Sequence, residues 1–374
     1  MVGRVMRTDL PETEPRPSGP RPVNRRRFLL AGGLTAAAAA GAGFGGQYLQ
    51  DKRFSVNTSS VKIAPVKARP LPAGASVTDI PGLSPFYTPN GKFYRVDTAL
   101  VVPQVSPSSW QLRIHGMVDH PMTLNFADLL KLPMQDHDVT LTCVSETVGG
   151  NYVGNARWQG TLLAPLLARA GVRKGAEQIV MRDVNGMNLG VAVDPVMDGR
   201  ASMLAIGMNG VPLPPEHGFP VRVVVPGLYG YVSACKWVVD MEVTTFGAFN
   251  AYWTQRGWSQ QAPIKTESRI DTPKYGGTVR AGSTVMIAGV AWAQHRGVEA
   301  VEVHVDGAWR PATLAAQDTI DTWRQWYYPW KPTPGRHTLQ VRATDKTGYT
   351  QTAAQAKPEP NGATGYHSVV ITAA

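Results

Sequence analysis

Apolar and polar positions alternate with a period of two along Trp110-Gln111-Leu112-Arg113-Ile114-His115-Gly116, which predicts a half-buried strand. The β-branched run Val139-Thr140-Leu141-Thr142 predicts another, and this one delivers Cys143 into a loop loosened by Gly149-Gly150 and Gly154-Asn155. Phe126-Ala127-Asp128-Leu129-Leu130 opens a short helix, and Leu162 onward forms a second that Gly171 stops. A Pro/Gly-punctuated turn then hands His217 to the apolar strand Val221-Arg222-Val223-Val224-Val225. In the last hundred residues the period of two returns: Val301, Val303 and Val305 alternate with polar neighbours, as do Leu339, Val341 and Ala343. Short strands are expected at 284–290, 298–305, 309–314, 322–328, 338–344 and 368–372, with turns at Asp306-Gly307, Pro334-Gly335 and Thr347-Gly348. This is a β-sandwich pattern behind a mixed α+β body.

A connector rich in Pro, Ser and Lys separates this body from the N-terminus. The expected organisation is a tail with an export signal or anchor at 1–53, a linker at 54–82, an α+β domain at 83–265 and an immunoglobulin-like unit at 266–374. Asn24-Arg25-Arg26-Arg27-Phe28-Leu29-Leu30 followed by an Ala/Gly-rich stretch resembles a twin-arginine signal, with Asn24 where Ser or Thr is usual. The expectation is export across the cytoplasmic membrane, with cleavage or retention through 28–46 both open. That route carries folded proteins, often with a cofactor already in place.

Charge changes the picture little. The formal net charge is +10, but seven arginines against three acids lie in residues 1–27, and no basic, aromatic-interleaved run follows, so nucleic acid is not an expected partner. Chemistry is sparse. The chain has two cysteines, Cys143 and Cys235, which exclude a disulfide framework and Cys-x-x-Cys-His haem attachment. No metalloprotease helix, phosphate-binding loop or dinucleotide fingerprint is present. Cys143 is either a small buried hydrophobe or a thiolate in use. With no clustered histidines it suits a metal held mainly by an organic ligand, while a nucleophilic role would need a base, His137 being the nearest histidine. His217, Arg222, Ser233 and Lys236 flank one apolar strand and form a binding set suited to a phosphorylated ligand.

Three ordered motifs carry a resemblance: the Cys143 loop with Gly154-Asn155-Ala156-Arg157-Trp158; Met208-Asn209-Gly210-Val211-Pro212-Leu213-Pro214-Pro215-Glu216-His217-Gly218-Phe219-Pro220-Val221-Arg222; and Pro226-Gly227-Leu228-Tyr229-Gly230-Tyr231-Val232-Ser233-Ala234-Cys235-Lys236-Trp237. Over residues 83–374 the chain resembles the sulfite oxidase family of molybdopterin enzymes. The resemblance implies a molybdenum–molybdopterin cofactor with Cys143 as the protein thiolate on the metal. It implies Arg95 and Arg157 as groups attracting an anionic substrate, and Asn90, Tyr94, Ser145, Asn155, His217, Arg222, Ser233 and Lys236 as cofactor-binding. It further implies a β-sandwich of the dimerisation type, two-electron oxygen-atom transfer converting sulfite to sulfate, and, with no haem module in the chain, an external electron acceptor such as a cytochrome or membrane redox protein. Two departures bear on substrate: Gly207 stands where many sulfite oxidases have Asp, and the longer insert after the cysteine is missing. Reduction of methionine sulfoxide or another S-oxide or N-oxide is the alternative activity, and a cofactor-free binding module the non-enzymatic one.

Overall fold

The computed structural model describes residues 56–58, 61–63, 66 and 69–374. The twin-arginine segment and the apolar stretch at 28–46 lie outside the described residues. Among the described residues no helix is long and apolar enough to cross a membrane.

In the first sheet Met122–Asn125, Gln111–Gly116, Val238–Thr244, Gln178–Asp183 and Asn188–Ala192 lie side by side, with Gln111–Gly116 parallel to Val238–Thr244. Leu112 and Ile114 are fully buried while Gln111 and Arg113 face outward, as the alternation requires. The helix Phe126–Leu130 starts at Asn125, whose side chain accepts from the Asp128 N–H at 2.9 Å. Leu163–Ala170 buries Leu163, Leu166, Leu167 and Ala170, one stripe of a helix, and ends at Gly171 with φ 70°, a left-handed conformation that favours glycine.

The second sheet carries the chemistry. Its order is Gln135–Thr142, Val153–Leu162, Met203–Met208, Val211–Pro212, and Arg222–Val224 also pairs with Met203–Met208. Gln135–Thr142 is therefore an outer strand, in register with its neighbour so that Asp138 faces Arg157, Thr140 faces Asn155 and Leu141 faces Gly154. That register divides the strand pair into two faces, and everything about the site follows from which residues fall on which.

The C-terminal unit is a two-sheet sandwich. One sheet orders Glu267–Thr272, Val285–Trp292, Arg324–Trp330 and Thr313–Leu314; the other orders Thr278–Val279, His367–Ala373, Gly335–Asp345, Val298–Val305 and Ala308–Pro311. The segment expected as one strand at 309–314 is two, in different sheets: Ala308–Pro311 and Thr313–Leu314. Pro311 has no N–H to continue a ladder, so the chain crosses over there. Glu267–Thr272 was not expected because its sequence is polar, yet nearly all of it is buried. Val301, Val303, Val305, Leu339, Val341 and Ala343 form the sandwich core with Trp326 and Trp330. Leu339→Ala should cost about 2–5 kcal/mol of unfolding free energy, measured by denaturant titration, because a fully buried side chain leaves a cavity.

The two units share an interior. Val290, Trp292 and Trp323 of the sandwich belong to the same apolar cluster as Val139 and Trp158 of the α+β body. The Trp323 indole N–H donates to the Phe86 carbonyl at 2.9 Å.

Candidate active site

Cys143 stands one residue past the outer strand, where its N–H donates to the Tyr152 carbonyl at 2.9 Å and closes the loop on itself. The residue is 7% exposed and its sulfur side opens on a cavity of about 220 Å³. Leu141, Tyr94, Ser145, His217, Arg222 and Lys236 share that cavity. Burial pushes the Cys143 thiol up, against hydrogen bonds from the Ser145 backbone and hydroxyl that favour the thiolate. A thiolate here thus wants a cation beside it.

Arg222 is the buried cation of the same lining, and the phenol and thiol its charge acts on there are those of Tyr94 and Cys235. It is buried, its guanidinium carbon lies 4.8 Å from the centre of the Trp158 ring, and its Nη1 donates to the His217 carbonyl at 3.2 Å. No carboxylate among the described residues forms an ion pair with it. Burial brings it down to about 10. A buried, unpaired guanidinium is costly unless something anionic completes it. Together with a buried thiol, this donor set fits a metal carried on an anionic organic cofactor.

His217 turns its Nε2 to the Asn90 carbonyl at 3.1 Å, so the proton sits on Nε2 and Nδ1 keeps its lone pair. Burial first, then Arg222, depresses it to about 4, and the ring is neutral at pH 7. Lys236 donates to Asp97 at 2.5 Å and to the Glu216 carbonyl at 3.2 Å. Burial lowers it to about 8, against the pull of Asp97. Tyr94 stacks on Phe93 with centroids 5.2 Å apart, and burial keeps its phenol protonated.

Other expected site residues lie elsewhere. Gly154 and Trp158 face the cavity side, since a Cβ on Gly154 would meet the Phe93 ring at 2.8 Å and Trp158 lies under Arg222. With a period of two, Asn155 and Arg157 point to the opposite face. There Arg157 forms a fork on Asp138, both contacts 2.8 Å, and donates to the Tyr87 hydroxyl at 2.6 Å. Asn155 donates to the Phe86 carbonyl and accepts from the Thr140 hydroxyl, both at 2.9 Å. Arg95 is held at 2.9 Å by Asp97 and stays partly exposed outside the lining. Asn90 ties the arm to the Met208–Asn209 turn, accepting from the Asn209 amide at 2.7 Å. The Ser233 hydroxyl donates to the Leu228 and Tyr229 carbonyls within its own helix turn.

The structure adds residues that were not anticipated. Tyr231, Trp253 and Trp258 form an aromatic wall of the cavity, with Tyr231 and Trp258 centred 5.8 Å apart and the Tyr231 hydroxyl fixed on the Ser259 carbonyl at 2.5 Å. Trp253 and Trp258 lie in a turn-rich stretch without periodicity, so only the fold brings them here. Cys235 is a second free thiol in the lining, raised by burial. Asp97 and Asp183 are the lining acids and Arg222 and Lys236 the lining bases, so the walls balance to no net charge.

Two buried carboxyls behind the cysteine loop make stability depend on pH. Glu146, raised by burial to about 7, accepts from the Tyr152 N–H, and Glu267 is raised by burial and by Glu146 to about 8. Their folded values exceed the ordinary 4.5, so the stability they confer is complete below 4.5 and lost as pH rises through about 7 and 8. His217 and His367, both lowered to about 4, act oppositely and lose stability only as pH falls below 6.5. Between pH 6.5 and 8 the glutamates dominate, so the Tm of cofactor-free protein should fall across that window and Glu267→Gln should flatten the fall. A pH-independent wild-type Tm there would contradict this.

An α+β body whose cavity is lined by two buried free thiols and a buried guanidinium without a carboxylate partner fits an oxidoreductase that holds a metal through protein sulfur and an anionic cofactor. Comparison gives the family. Residues 99–253 match the model of the oxidoreductase molybdopterin binding domain, and residues 267–341 that of the bacterial Ig domain. The uncharacterized oxidoreductase YuiH of Bacillus subtilis (strain 168) is 33% identical over 151 residues, covering 40% of this chain and 73% of that protein. Mitochondrial sulfite oxidase of Rattus norvegicus is 30% identical over 289 residues, covering 64% of this chain and 52% of the rat protein. The chain thus spans about half the length of the mitochondrial sulfite oxidases it matches. The solved sulfane dehydrogenase SoxCD from Paracoccus pantotrophus shares the fold, with a TM-score of 0.66 at 24% identity over 83% of this chain and 88% of that one. The chain belongs to the sulfite oxidase family of molybdopterin-binding oxidoreductases.

Proposed function

We propose that this chain is a molybdopterin-dependent oxidoreductase that moves one oxygen atom and two electrons at the sulfur of an uncharged organic compound, the couple between an S-oxide and its thioether. The observation that carries the chemistry is Cys143 facing the same cavity as the unpaired Arg222. Cys143 would hold the metal, and Arg222, Lys236 and His217 the organic part, with Arg222 supplying the positive charge an anionic cofactor needs. When bound, the molybdenum cofactor supplies oxygen-atom exchange coupled to two electrons. The rest falls to the protein: the protonated Tyr94 phenol is available as a donor to a substrate oxygen, and the Tyr231, Trp253 and Trp258 wall takes up apolar substituents.

Charge decides the substrate class. Once an anionic cofactor has used Arg222, a wall set with no net charge has nothing left for a dianion. Arg95 stands outside the lining and shares Asp97 with Lys236, and Arg157 is neutralised by Asp138 on the far face. Sulfite oxidation is the second reading, supported by the likeness to mitochondrial sulfite oxidases. In the reductive direction the sulfur–oxygen bond breaks as the sulfoxide takes up two electrons and two protons, leaving the thioether and one water. The electrons come from an external cytochrome or membrane redox protein. Export by the twin-arginine segment, followed by cleavage or by retention through 28–46, and pairing of two copies through the sandwich belong to the same proposal.

The test uses molybdenum-loaded protein offered an aryl methyl sulfoxide with reduced viologen, and separately sulfite with ferricyanide. Turnover of the sulfoxide alone supports the uncharged substrate; turnover of sulfite alone overturns it and leaves the cofactor assignment standing. Trp253→Ala should raise the sulfoxide KM by about 10-fold with a smaller effect on kcat, as expected for lost apolar burial. An unchanged KM would remove the wall from substrate binding.

A further inference from the structure

The strand that delivers Cys143 is at the edge of its sheet, and an edge leaves every second N–H and C=O unpaired. Here the missing neighbour is supplied by the sandwich. The Thr140 N–H donates to the Asp321 carbonyl at 2.9 Å, and the Trp323 N–H donates to the Thr140 hydroxyl at 2.8 Å. The Gln294 amide, fully buried, donates to the Thr140 carbonyl at 3.1 Å and the Thr142 hydroxyl at 3.0 Å, one residue before the cysteine.

The loop leaving Cys143 is gripped from the same side. Arg269, buried, donates Nη1 to the Gly150 carbonyl at 2.8 Å and Nη2 to the Ser84 hydroxyl at 3.1 Å, while Asp271 fixes its Nε at 2.7 Å. His367 packs directly on Gly149, where an added Cβ would fall 2.2 Å from the imidazole, and its Nδ1 accepts from the Ile270 N–H at 3.0 Å, which fixes the ring. Gly149 has φ 80°, so the loop's course there needs glycine on both steric and backbone grounds.

We propose that the sandwich is a working part of the site: Gln294 on the incoming strand and Arg269 with His367 on the outgoing loop are positioning residues that set where the Cys143 sulfur stands. A thiolate that must meet a metal needs its supporting residues locked to within about 0.5 Å, and a loop with two adjacent glycines does not lock itself. This role is additional to any pairing of copies through the same unit. Its catalytic consequence rests on Cys143 being the metal thiolate; the placement of the sulfur does not, and can be read without the metal.

The experiment measures iodoacetamide labelling of Cys143 and Cys235, by peptide mass, in the full chain made in a host that cannot synthesise the cofactor. Gln294→Met and Arg269→Ala should each label Cys143 about 10-fold faster than wild type by releasing local opening, with Cys235 unchanged. Leu339→Ala, in the sandwich core and without a hydrogen bond to the loop, should leave the Cys143 rate at the wild-type value although it lowers the Tm. Should one of the two variants not fold, the other carries the test. Unchanged Cys143 labelling in the folded variants, or Cys143 and Cys235 rising together, would overturn the proposal. If labelling rises as expected but loaded wild-type protein shows no turnover with any sulfur compound, the positioning stands and the functional reading fails.

Discussion

Cys143→Ser should fold with a near-wild-type Tm in the cofactor-free state and lose turnover by more than the ~100-fold that removal of an outer-shell metal partner costs. The serine hydroxyl is close to the thiol in size, and the loop is held by backbone contacts that survive the change, the Cys143 N–H to Tyr152 and the Glu146 N–H to the Cys143 carbonyl at 3.1 Å. What disappears is a soft sulfur donor, which an alcohol does not replace on a soft metal site. Steady-state kinetics on loaded protein, with molybdenum content measured in parallel, checks this. Turnover within a few-fold of wild type would show that the sulfur is a packing residue.

Arg222→Met should move the two states of the protein in opposite directions. In cofactor-free protein the guanidinium is a buried charge without a counter-ion, so an apolar side chain of similar length should stabilise, in the same direction as the about 1–4 kcal/mol seen when whole buried ion pairs are replaced by well-packed apolar side chains. The gain is tempered by loss of the donor to the His217 carbonyl and of the stacking on Trp158. In loaded protein the same change removes the cation opposite the cofactor's negative charge, so the Tm increase on loading should shrink or vanish. Thermal unfolding of both forms reads both effects. A destabilised cofactor-free variant with normal loading would make Arg222 a structural residue.

Much of this site was legible before the fold was known, and the limits have physical causes. Cys143, Tyr94, Ser145, His217, Arg222 and Lys236 come to one cavity; turn chemistry and strand pattern mark Cys143, His217, Arg222 and Lys236, whereas Tyr94 and Ser145 come from the family resemblance. Asn155 and Arg157 lie in an equally clear motif, but the sequence Gly154-Asn155-Ala156-Arg157-Trp158 is a strand, and its alternation sends them to the face opposite Gly154 and Trp158. Arg95 illustrates a different limit: it is turned onto Asp97, which it shares with Lys236, and only Lys236 reaches the lining. Tyr231, Trp253 and Trp258 could not be assembled from periodicity, since their meeting depends on chain segments that pack only in three dimensions. The sandwich strands with apolar alternation were visible, whereas Glu267–Thr272, polar and buried, gave no hydrophobic signal although Arg269 on it reaches the cysteine loop.

The central claim is that Cys143 is the protein's bond to a molybdenum cofactor. X-ray absorption at the molybdenum edge of purified, loaded wild type and Cys143→Ser tests it most directly. The account predicts a sulfur scatterer beyond those of the cofactor's own dithiolene in wild type, and its loss in the variant while metal remains bound. The same sulfur count in both proteins would contradict it.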